Sequence, residues 1–402
     1  MERDPFLKCL SILSLALGIL AVAHLTNPRD AQATAGCRLL GKRASWEFAV
    51  DGPYPVGVRT VTFVDTSRPT APNGDFPGAP ERTLVTEIWY PALGSGRDVP
   101  VDAVAAPYPV VIHSHGFLDN RVGEAFMSQH LASRGYIVAA TDYPLSHGGA
   151  PGGATVSDVH NQPGDWSFIL DQILTEFGEA ADSERIGASG LSLGGLTTLL
   201  VTYHRDLRDP RIRAALPMAA PGCFFTRRFF RTTEVPLLVL HGDSDLIVPV
   251  LENGRRGYRR APAPKFLVQL RNGSHTGFSG FATLFDQSQH FDGIGCAALV
   301  GDSGIYDPND NPFEELGGKS EGILLDMSRC PLPCEEEVPD GPSMGAVRHH
   351  DLTRIVASAF FDAYLRGDDT ARCFLRHTLR RENGDVSVRS RGSRLSVPLP
   401  SP

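Results

Sequence analysis

The sequence lacks several features that mark particular classes of protein. Its basic residues are spread along the chain instead of forming a stripe, and the formal net charge is −8. We therefore expect no nucleic acid partner. Cys330 and Cys334 resemble half of a zinc site, but no Cys or His pair follows at zinc-finger spacing, so we expect no metal. What remains is an ordinary globular composition, with 42% hydrophobic and 21% charged residues, which can bury a large core.

The N-terminus has the layout of a secretory signal peptide. Arg3 and Lys8 precede an apolar stretch over 9–25, and an Ala-x-Ala-like step follows within 31–35. We predict a signal peptide over 1–35 and a secreted or periplasmic protein. A retained membrane anchor is the first alternative.

A lipoprotein is the second alternative, because Cys37 follows small residues in the segment TAGC. Thr34 stands where such signals normally carry leucine, which favours export without a lipid.

Cysteine is scarce, with seven in the chain. Removal of the leader discards Cys9 and leaves Cys37, Cys223, Cys296, Cys330, Cys334 and Cys373. An even number of cysteines in an exported chain predicts up to three disulfides. The sequence leaves their pairing open, and buried free thiols are the alternative.

Buried apolar runs alternate with segments of helical spacing from Tyr108 onward, after two alternating segments over 59–67 and 82–92 that we predict as strands. The later predicted strands are YPVVIHSHG, YIVAATDYP, RIGASG, IRAALPMAAP, VPLLVLHGDSD and KFLVQL. The predicted helices are EAFMSQHLASRG, DWSFILDQILTEFG, the segment after Ser192, and DLTRIVASAFFDAYLRGD. This alternation indicates an α/β fold with a mostly parallel central sheet and helices on both faces.

We predict one domain over 36–380. Within it, residues 276–350 are polar and irregular and hold three of the six remaining cysteines. We interpret them as an insertion tied down by disulfides and as a candidate lid over the site, because long irregular segments in compact domains tend to be functional. A polar, proline-containing tail over 381–402 is expected to be partly disordered.

Ser192 lies in RIGASGLSLGG, between an apolar strand and a run of helix formers. Gly190 and Gly194 flank it in the pattern G-x-S-x-G, which is typical of a nucleophile elbow when a strand precedes it and a helix follows. The small residues allow a tight turn that exposes the serine hydroxyl. Ser192 is therefore the candidate nucleophile.

A serine nucleophile needs a base, and the base needs an acid that fixes its tautomer. After such an elbow the acid comes next in the chain and the histidine last. Asp245 follows one predicted strand and His275 follows the next, so we predict these two residues as acid and base. Asp243 is the alternative acid, but Asp245 lies further into the loop that leads toward His275.

Ester cleavage also needs backbone N–H groups that stabilise a negative oxygen. We predict that Leu193, which follows the nucleophile, supplies one, and that Phe117, in the loop after VVIHSHG, supplies the other. His113 and His115 have no evident third metal ligand, so we interpret them as support for this loop.

The segments TEIWYPA, VVIHSHGFLDNR, LASRGYIVAATDYP, RIGASGLSLGG, VLHGDSDLIVP and NGSHTGF occur in this order. Together they resemble bacterial α/β-hydrolases grouped as predicted dienelactone hydrolases, in the branch similar to platelet-activating-factor acetylhydrolases. The resemblance runs over about 53–275 and resumes at Asp351. It implies an α/β-hydrolase fold, with Ser192, Asp245 and His275 as the triad.

The resemblance likewise matches Phe117 and Leu193 to the oxyanion donors. Two positions depart from the pattern. True dienelactone hydrolases carry cysteine where Ser192 stands, and the family often has histidine where Leu191 stands.

The expected function is hydrolysis of small-molecule or lipid-type carboxylic esters through an acyl-enzyme, without metal or organic cofactor. A serine peptidase on the same fold is one alternative, although the chain has neither the repeats of a propeller nor room for a helical cap. A secreted, non-catalytic binding protein with this fold is the other.

Overall fold

The strands of the described residues form one mixed sheet in a computed structural model, which describes residues 37, 40–300, 312–324, 326, 328 and 330–392. The predicted signal peptide lies outside the described residues. The strands are β1 (Val56–Asp65), β2 (Arg82–Pro91), β3 (Gly96–Arg97), β4 (Tyr108–Ser114), β5 (Ile137–Thr141), β6 (Ala181–Leu191), β7 (Ile212–Met218), β8 (Leu237–Gly242), β9 (Lys265–Leu270) and β10 (Val386–Arg391).

The sheet order is β10-β9-β8-β7-β6-β4-β5-β2-β1-β3. Neighbouring strands from β9 through β5 pair in parallel, whereas β2 is antiparallel to β5 and to β1, and β10 is antiparallel to β9. The predicted mostly parallel sheet is confirmed. Its parallel strands end at one edge, which carries the loops that follow β4, β6, β8 and β9.

Helices cover both faces of this sheet. They are α1 (Ser45–Ala49), α2 (Ala125–Ser133), α3 (Gln162–Phe177), α4 (Leu193–Tyr203), α5 (Gly254–Arg260), α6 (Asp292–Val300), α7 (Ala346–Leu365), α8 (Asp369–Cys373) and α9 (Leu379–Glu382). Within the part of the chain that the structure describes, none is both long and apolar enough to cross a membrane.

Residues of β4 show how the two faces are filled. Val111 packs in the cluster beneath α2 and α7, while Val110 and Ile112 pack in the cluster beneath α3. Successive side chains of a strand point to opposite faces, so a strand buried on both sides consists of a continuous apolar run. This explains why YPVVIHS contains no exposed residue.

Helix α3 shows why the predicted helices form. Pro163 stands in its first turn, where the missing N–H costs nothing, and Gly178 ends it with a φ of 50°. Its buried apolar side chains recur at helical spacing along one stripe: Trp166, Ile169, Leu170, Ile173 and Phe177.

Three disulfides are present, as the cysteine count predicts: Cys37–Cys373, Cys223–Cys330 and Cys296–Cys334. The last two tie the segment predicted as an insertion to the rest of the domain and to itself. The first joins the start of the described chain to its C-terminal helices. This disulfide also occupies the sulfur of Cys37, which would have to carry the lipid in the lipoprotein alternative.

The structure differs from the prediction at the C-terminal tail. Residues over 379–391, which include most of the described part of the tail, form α9 and β10, and β10 extends the sheet by pairing with β9. Val386 is buried in the core beneath α7. Because β10 is a polar edge strand with little apolar surface, composition alone predicts a disordered tail at this position.

Candidate active site

Ser192 stands between the last residue of β6 and the first residue of α4. Its φ of 54° and ψ of −116° are a strained conformation for a residue with a side chain, at a cost of about 1–3 kcal/mol. The Ser192 N–H donates to the Met218 carbonyl at 2.9 Å, which ties the turn to β7. The chain therefore makes the sharp strand-to-helix turn that the G-x-S-x-G pattern predicts.

Glycine is required on both sides of Ser192. A Cβ on Gly194 would lie 2.0 Å from the Ser114 carbonyl oxygen, and a Cβ on Gly190 would lie 2.2 Å from the Gly194 carbonyl oxygen. These distances are far shorter than any real carbon–oxygen contact. The elbow can close against β4 only because both positions lack side chains.

Asp245 follows β8, and both of its carboxylate oxygens accept hydrogen bonds. Its Oδ1 accepts the N–H groups of Ile247 at 3.0 Å and Val248 at 2.7 Å. Its Oδ2 accepts Nδ1–H of His275 at 2.9 Å. Burial alone would raise the pKa of Asp245, but His275 and the other donors hold it well below its usual range.

His241, on β8, also contacts the acid. Its Nε2–H donates to the Val248 carbonyl at 2.7 Å and lies 3.2 Å from Oδ2 of Asp245. Asp243, the alternative acid, is exposed and instead accepts the Asn272 N–H at 2.7 Å. Asp245 is therefore the aspartate that contacts His275.

His275 follows β9 and is nearly buried. Because Nδ1 donates to Asp245, the neutral ring carries its free lone pair on Nε2, where a base would accept a proton. Burial lowers the pKa of His275, but Asp245 and, less strongly, Asp292 more than offset this, so the pKa lies above its ordinary value.

Ser192 and His275 lie at the same edge of the sheet, after β6 and β9. The structure forms no hydrogen bond between these two described residues. In enzymes without bound substrate, such contacts are often long and tighten only in the complex. The pairing that the structure forms is His275 with Asp245.

Phe117 and Leu193, the predicted oxyanion donors, lie in the loop after β4 and at the start of α4. Leu193 is the first residue of α4, where the N–H has no carbonyl partner within the helix. Phe117 follows Gly116, and a Cβ on Gly116 would lie 3.5 Å from Cβ of Ser192. The loop after β4 thus passes directly beside the nucleophile.

His115 holds this loop in place. Its Nε2 accepts the Tyr143 N–H at 3.1 Å, so Nδ1 carries the proton and donates to the Gly116 carbonyl at 2.7 Å. Burial lowers the pKa of His115 to about 4, which keeps the ring neutral. By fixing the carbonyl of Gly116, the ring also fixes the peptide that bears the Phe117 N–H.

His113 lies deeper, between Ser189 Oγ on β6 and Glu124 at the start of α2, at 2.9 Å from each. Burial raises the pKa of Glu124 to about 8. Among the described residues, no group of three or more His, Cys, Asp or Glu side chains is arranged to hold a metal ion.

Sequence reasoning missed Asp292 and His241. Asp292 is fully buried at the start of α6 and contacts the loops of both Asp245 and His275. Its only sequence signal is an acidic residue at the first position of a helix, which is common on protein surfaces. His241 stands beside the predicted acid in VLHGDSD, and its contact could have been inferred from that spacing.

Comparison with known proteins finds several that are similar to this chain. The family described as PET hydrolase-like matches residues 87–284, which include Phe117, Ser192, Leu193, Asp245 and His275. Cutinase est1 of Thermobifida alba is 25% identical over 174 residues, 42% of this chain and 53% of that protein. Lipase 1 of Moraxella sp. (strain TA144) is 25% identical over 190 residues, 47% of this chain and 52% of that protein.

The chain spans about half the length of these curated relatives. A solved ferulic acid esterase from Streptomyces cinnamoneus superposes with a TM-score of 0.53 at 24% sequence identity, covering 78% of this chain and 91% of that chain. The chain has the α/β-hydrolase fold, as the sequence predicts. The family that matches is described as PET hydrolase-like, and the narrower resemblance to dienelactone hydrolases is not confirmed.

Proposed function

We propose that the protein is an exported serine hydrolase that cleaves carboxylic esters through an acyl-enzyme. The observation that carries this proposal is a serine in a strained strand-to-helix turn at the same sheet edge as a buried His275–Asp245 pair. Cutinase, lipase and ferulic acid esterase, the names of the similar proteins, all denote enzymes that act on esters.

In the proposed reaction, Ser192 Oγ attacks the ester carbonyl carbon while His275 Nε2 takes the hydroxyl proton. The carbonyl oxygen becomes negative and accepts the N–H groups of Phe117 and Leu193. His275 then protonates the departing alcohol, which leaves an acyl group on Ser192. Water, deprotonated by His275, attacks this acyl group and releases the acid with Ser192 restored.

Asp245 stabilises the imidazolium that forms in each half of the reaction. The N–H groups of Ile247 and Val248 and the two neighbouring histidine rings keep it ionised, so its charge is present when His275 becomes positive. Without Asp245, the buried imidazole would accept a proton only at considerable cost.

The substrate class that we propose is a short-chain or lipid-type ester. Phe117 packs against the apolar cluster that contains Leu193, and Leu191 is buried on the opposite side of the elbow. Apolar walls of this kind favour an uncharged acyl group. The acetylhydrolase-like resemblance of the sequence supports the same substrate class.

Export is part of the proposal because three disulfides form most readily outside the cytoplasm. We further propose that the segment 276–350 covers one side of the site. Its Gly280 N–H donates to the Gly123 carbonyl at 2.9 Å, which joins it to the loop that carries Phe117.

The test is hydrolysis of p-nitrophenyl esters of increasing acyl length by the wild type and by Ser192→Ala. We expect Ser192→Ala to lower kcat by about 10⁴-fold or more, because the nucleophile is lost. Ser183→Ala, at an exposed position on β6, the strand that precedes Ser192, serves as the control and should keep full activity. Equal turnover by the wild type and Ser192→Ala would contradict the proposal.

Peptide substrates assayed beside the esters distinguish the alternatives. A serine peptidase would cleave peptides as well as esters, and a binding protein would cleave neither. We expect ester cleavage only.

A further inference from the structure

Asp292 is the first residue of α6 and is fully buried. Its Oδ2 accepts two backbone N–H groups, from Leu246 at 3.0 Å and from His275 at 3.0 Å. Its Oδ1 accepts a third, from Thr276 at 2.7 Å. Leu246 follows the proposed acid and Thr276 follows the proposed base, so one carboxylate joins the two loops.

We infer that Asp292 is a positioning residue for the ester hydrolysis proposed above: it fixes the acid and base loops relative to each other and supplies a second negative charge beside His275. The inference rests on the proposed function. Through Asp292, the segment over 276–350 contributes to the proposed ester hydrolysis.

The surroundings of Asp292 place its charge where it can act. Among the described residues, no Lys or Arg side chain forms an ion pair with it, and the N–H groups of Leu246, His275 and Thr276 that donate to it belong to the backbone. An ionised carboxylate without a cationic partner is weakly screened in a buried site. Its field therefore reaches the imidazole of His275, because the carboxylate also accepts the backbone N–H of that residue.

Two further contacts anchor this part of the segment to the acid loop. His290 accepts the Asp292 N–H at Nδ1, at 3.3 Å, and contacts Ser244 Oγ through Nε2 at 3.0 Å. The Cys334 N–H donates to the Leu246 carbonyl at 2.8 Å, and Cys334 is disulfide-bonded to Cys296 on α6. The segment thus contacts Leu246 through both its N–H and its carbonyl.

The region matched by the PET hydrolase-like family ends at residue 284, before Asp292. The triad candidates lie inside the matched region, whereas the carboxylate that joins their loops lies beyond it. The match therefore assigns nothing to Asp292.

The titratable groups around His275 make a clear pH test available. Asp245 faces it from the loop after β8, with His241 behind that acid, and Asp292 faces it from α6. His349 packs near it from α7, where burial lowers its pKa to about 3, so this ring is neutral. His290 lies beside Asp292. The two aspartates are thus the negative groups that favour a charged His275.

The experiment compares Asp292→Asn, which keeps the shape without the charge, with Asp292→Glu, which keeps the charge but displaces it. Initial rates on p-nitrophenyl acetate are measured from pH 5 to pH 9. We expect Asp292→Asn to lower kcat by about 10- to 100-fold with a KM within about twofold of wild type. Its acid limb of kcat/KM should move to lower pH by about half a unit, because a negative charge beside the base is lost.

Asp292→Glu should lower kcat while its acid limb stays at the wild-type pH. The matched control is Asp286→Asn, an exposed aspartate of the same segment, which should leave both kcat and the acid limb unchanged. Circular dichroism and a melting curve establish that each variant is folded. If Asp292→Asn does not fold, Asp292→Glu carries the test through its kcat.

A folded Asp292→Asn with the kcat and acid limb of wild type would overturn the inference, as would a folded Asp292→Glu with full kcat. Failure of the proposed function looks different, because the wild type and Asp286→Asn would then be inactive on every ester.

Discussion

His275 sits against two buried carboxylates, Asp245 at its Nδ1 and Asp292 at its backbone N–H. A base must be neutral to accept the proton of Ser192, so the proposed hydrolase should lose activity as pH falls through the pKa of His275. Since that pKa is raised above the ordinary value, kcat/KM of the wild type should fall on acidification at a pH above about 6.5.

Asp245→Asn tests the acid at the same scale. The amide cannot stabilise the imidazolium and can favour the wrong tautomer, so we expect kcat to fall by about 10⁴-fold. Asp243→Asn, two positions earlier and exposed, should stay within about threefold of wild type, since this carboxylate accepts the N–H of Asn272 and not that of the His275 ring. If Asp243→Asn is the inactive variant, the assignment of the acid is wrong.

At the scale of single residues, much of the candidate site can be predicted from the sequence alone. Ser192 and its two glycines can be read from local spacing because the elbow is a local structure. The contact of Asp245 with His275 follows from the rule that parallel strands end at one edge. Asp292 could not be found, because its contacts depend on how a polar segment folds back over two loops.

The elbow is the element on which the site depends, and Gly194 tests it. Gly194→Ala would place a Cβ 2.0 Å from the Ser114 carbonyl oxygen, so the turn must open or β4 must shift. We expect a loss of about 3 kcal/mol or more in the free energy of unfolding, measured by urea titration, together with loss of ester hydrolysis.

Gly384→Ala is the matched control for this variant. It lies in the exposed connection between α9 and β10, where an added Cβ would meet no atom within 4 Å. It should change the unfolding free energy by less than about 1 kcal/mol. A Gly194→Ala variant as stable and active as this control would show that the elbow is looser than the structure indicates.

The helices and strands differ in how clearly their sequence patterns predict them. The buried parallel strands and α3 have continuous apolar runs or a clear apolar stripe, and each was predicted. The strand β10 was missed because four of the six residues in VSVRSR are polar and the strand buries only part of one face. Helix α6 was missed because it lies in a segment whose overall composition is that of a loop.

Across the whole molecule, the disulfides hold distant parts of the chain together. Cys37–Cys373 spans 336 residues of the sequence. It joins the start of the described chain to α8, next to the core that α7 forms with the sheet. Closing a long loop restricts the unfolded chain strongly. Such a bond should stabilise the fold without touching the site.

The double variant Cys37→Ser/Cys373→Ser should therefore lose about 2–5 kcal/mol of unfolding free energy and melt at a lower temperature. Its kcat at 25 °C should stay near wild type, since neither residue contacts the acid or base loop. Calorimetry and mass mapping without reductant provide the check. A wild-type protein in which mapping finds six free thiols would contradict this prediction.

The central claim is that Ser192 is made reactive by His275 and Asp245. The most direct measurement is reaction with an organophosphate p-nitrophenyl ester, following released p-nitrophenol and mapping the adduct by mass spectrometry. We predict one p-nitrophenol per protein chain and one phosphoryl adduct, on the peptide that contains Ser192, with both lost in Ser192→Ala and greatly slowed in His275→Ala. An esterase-active protein whose adduct lies on another residue, or that forms none, would contradict the account.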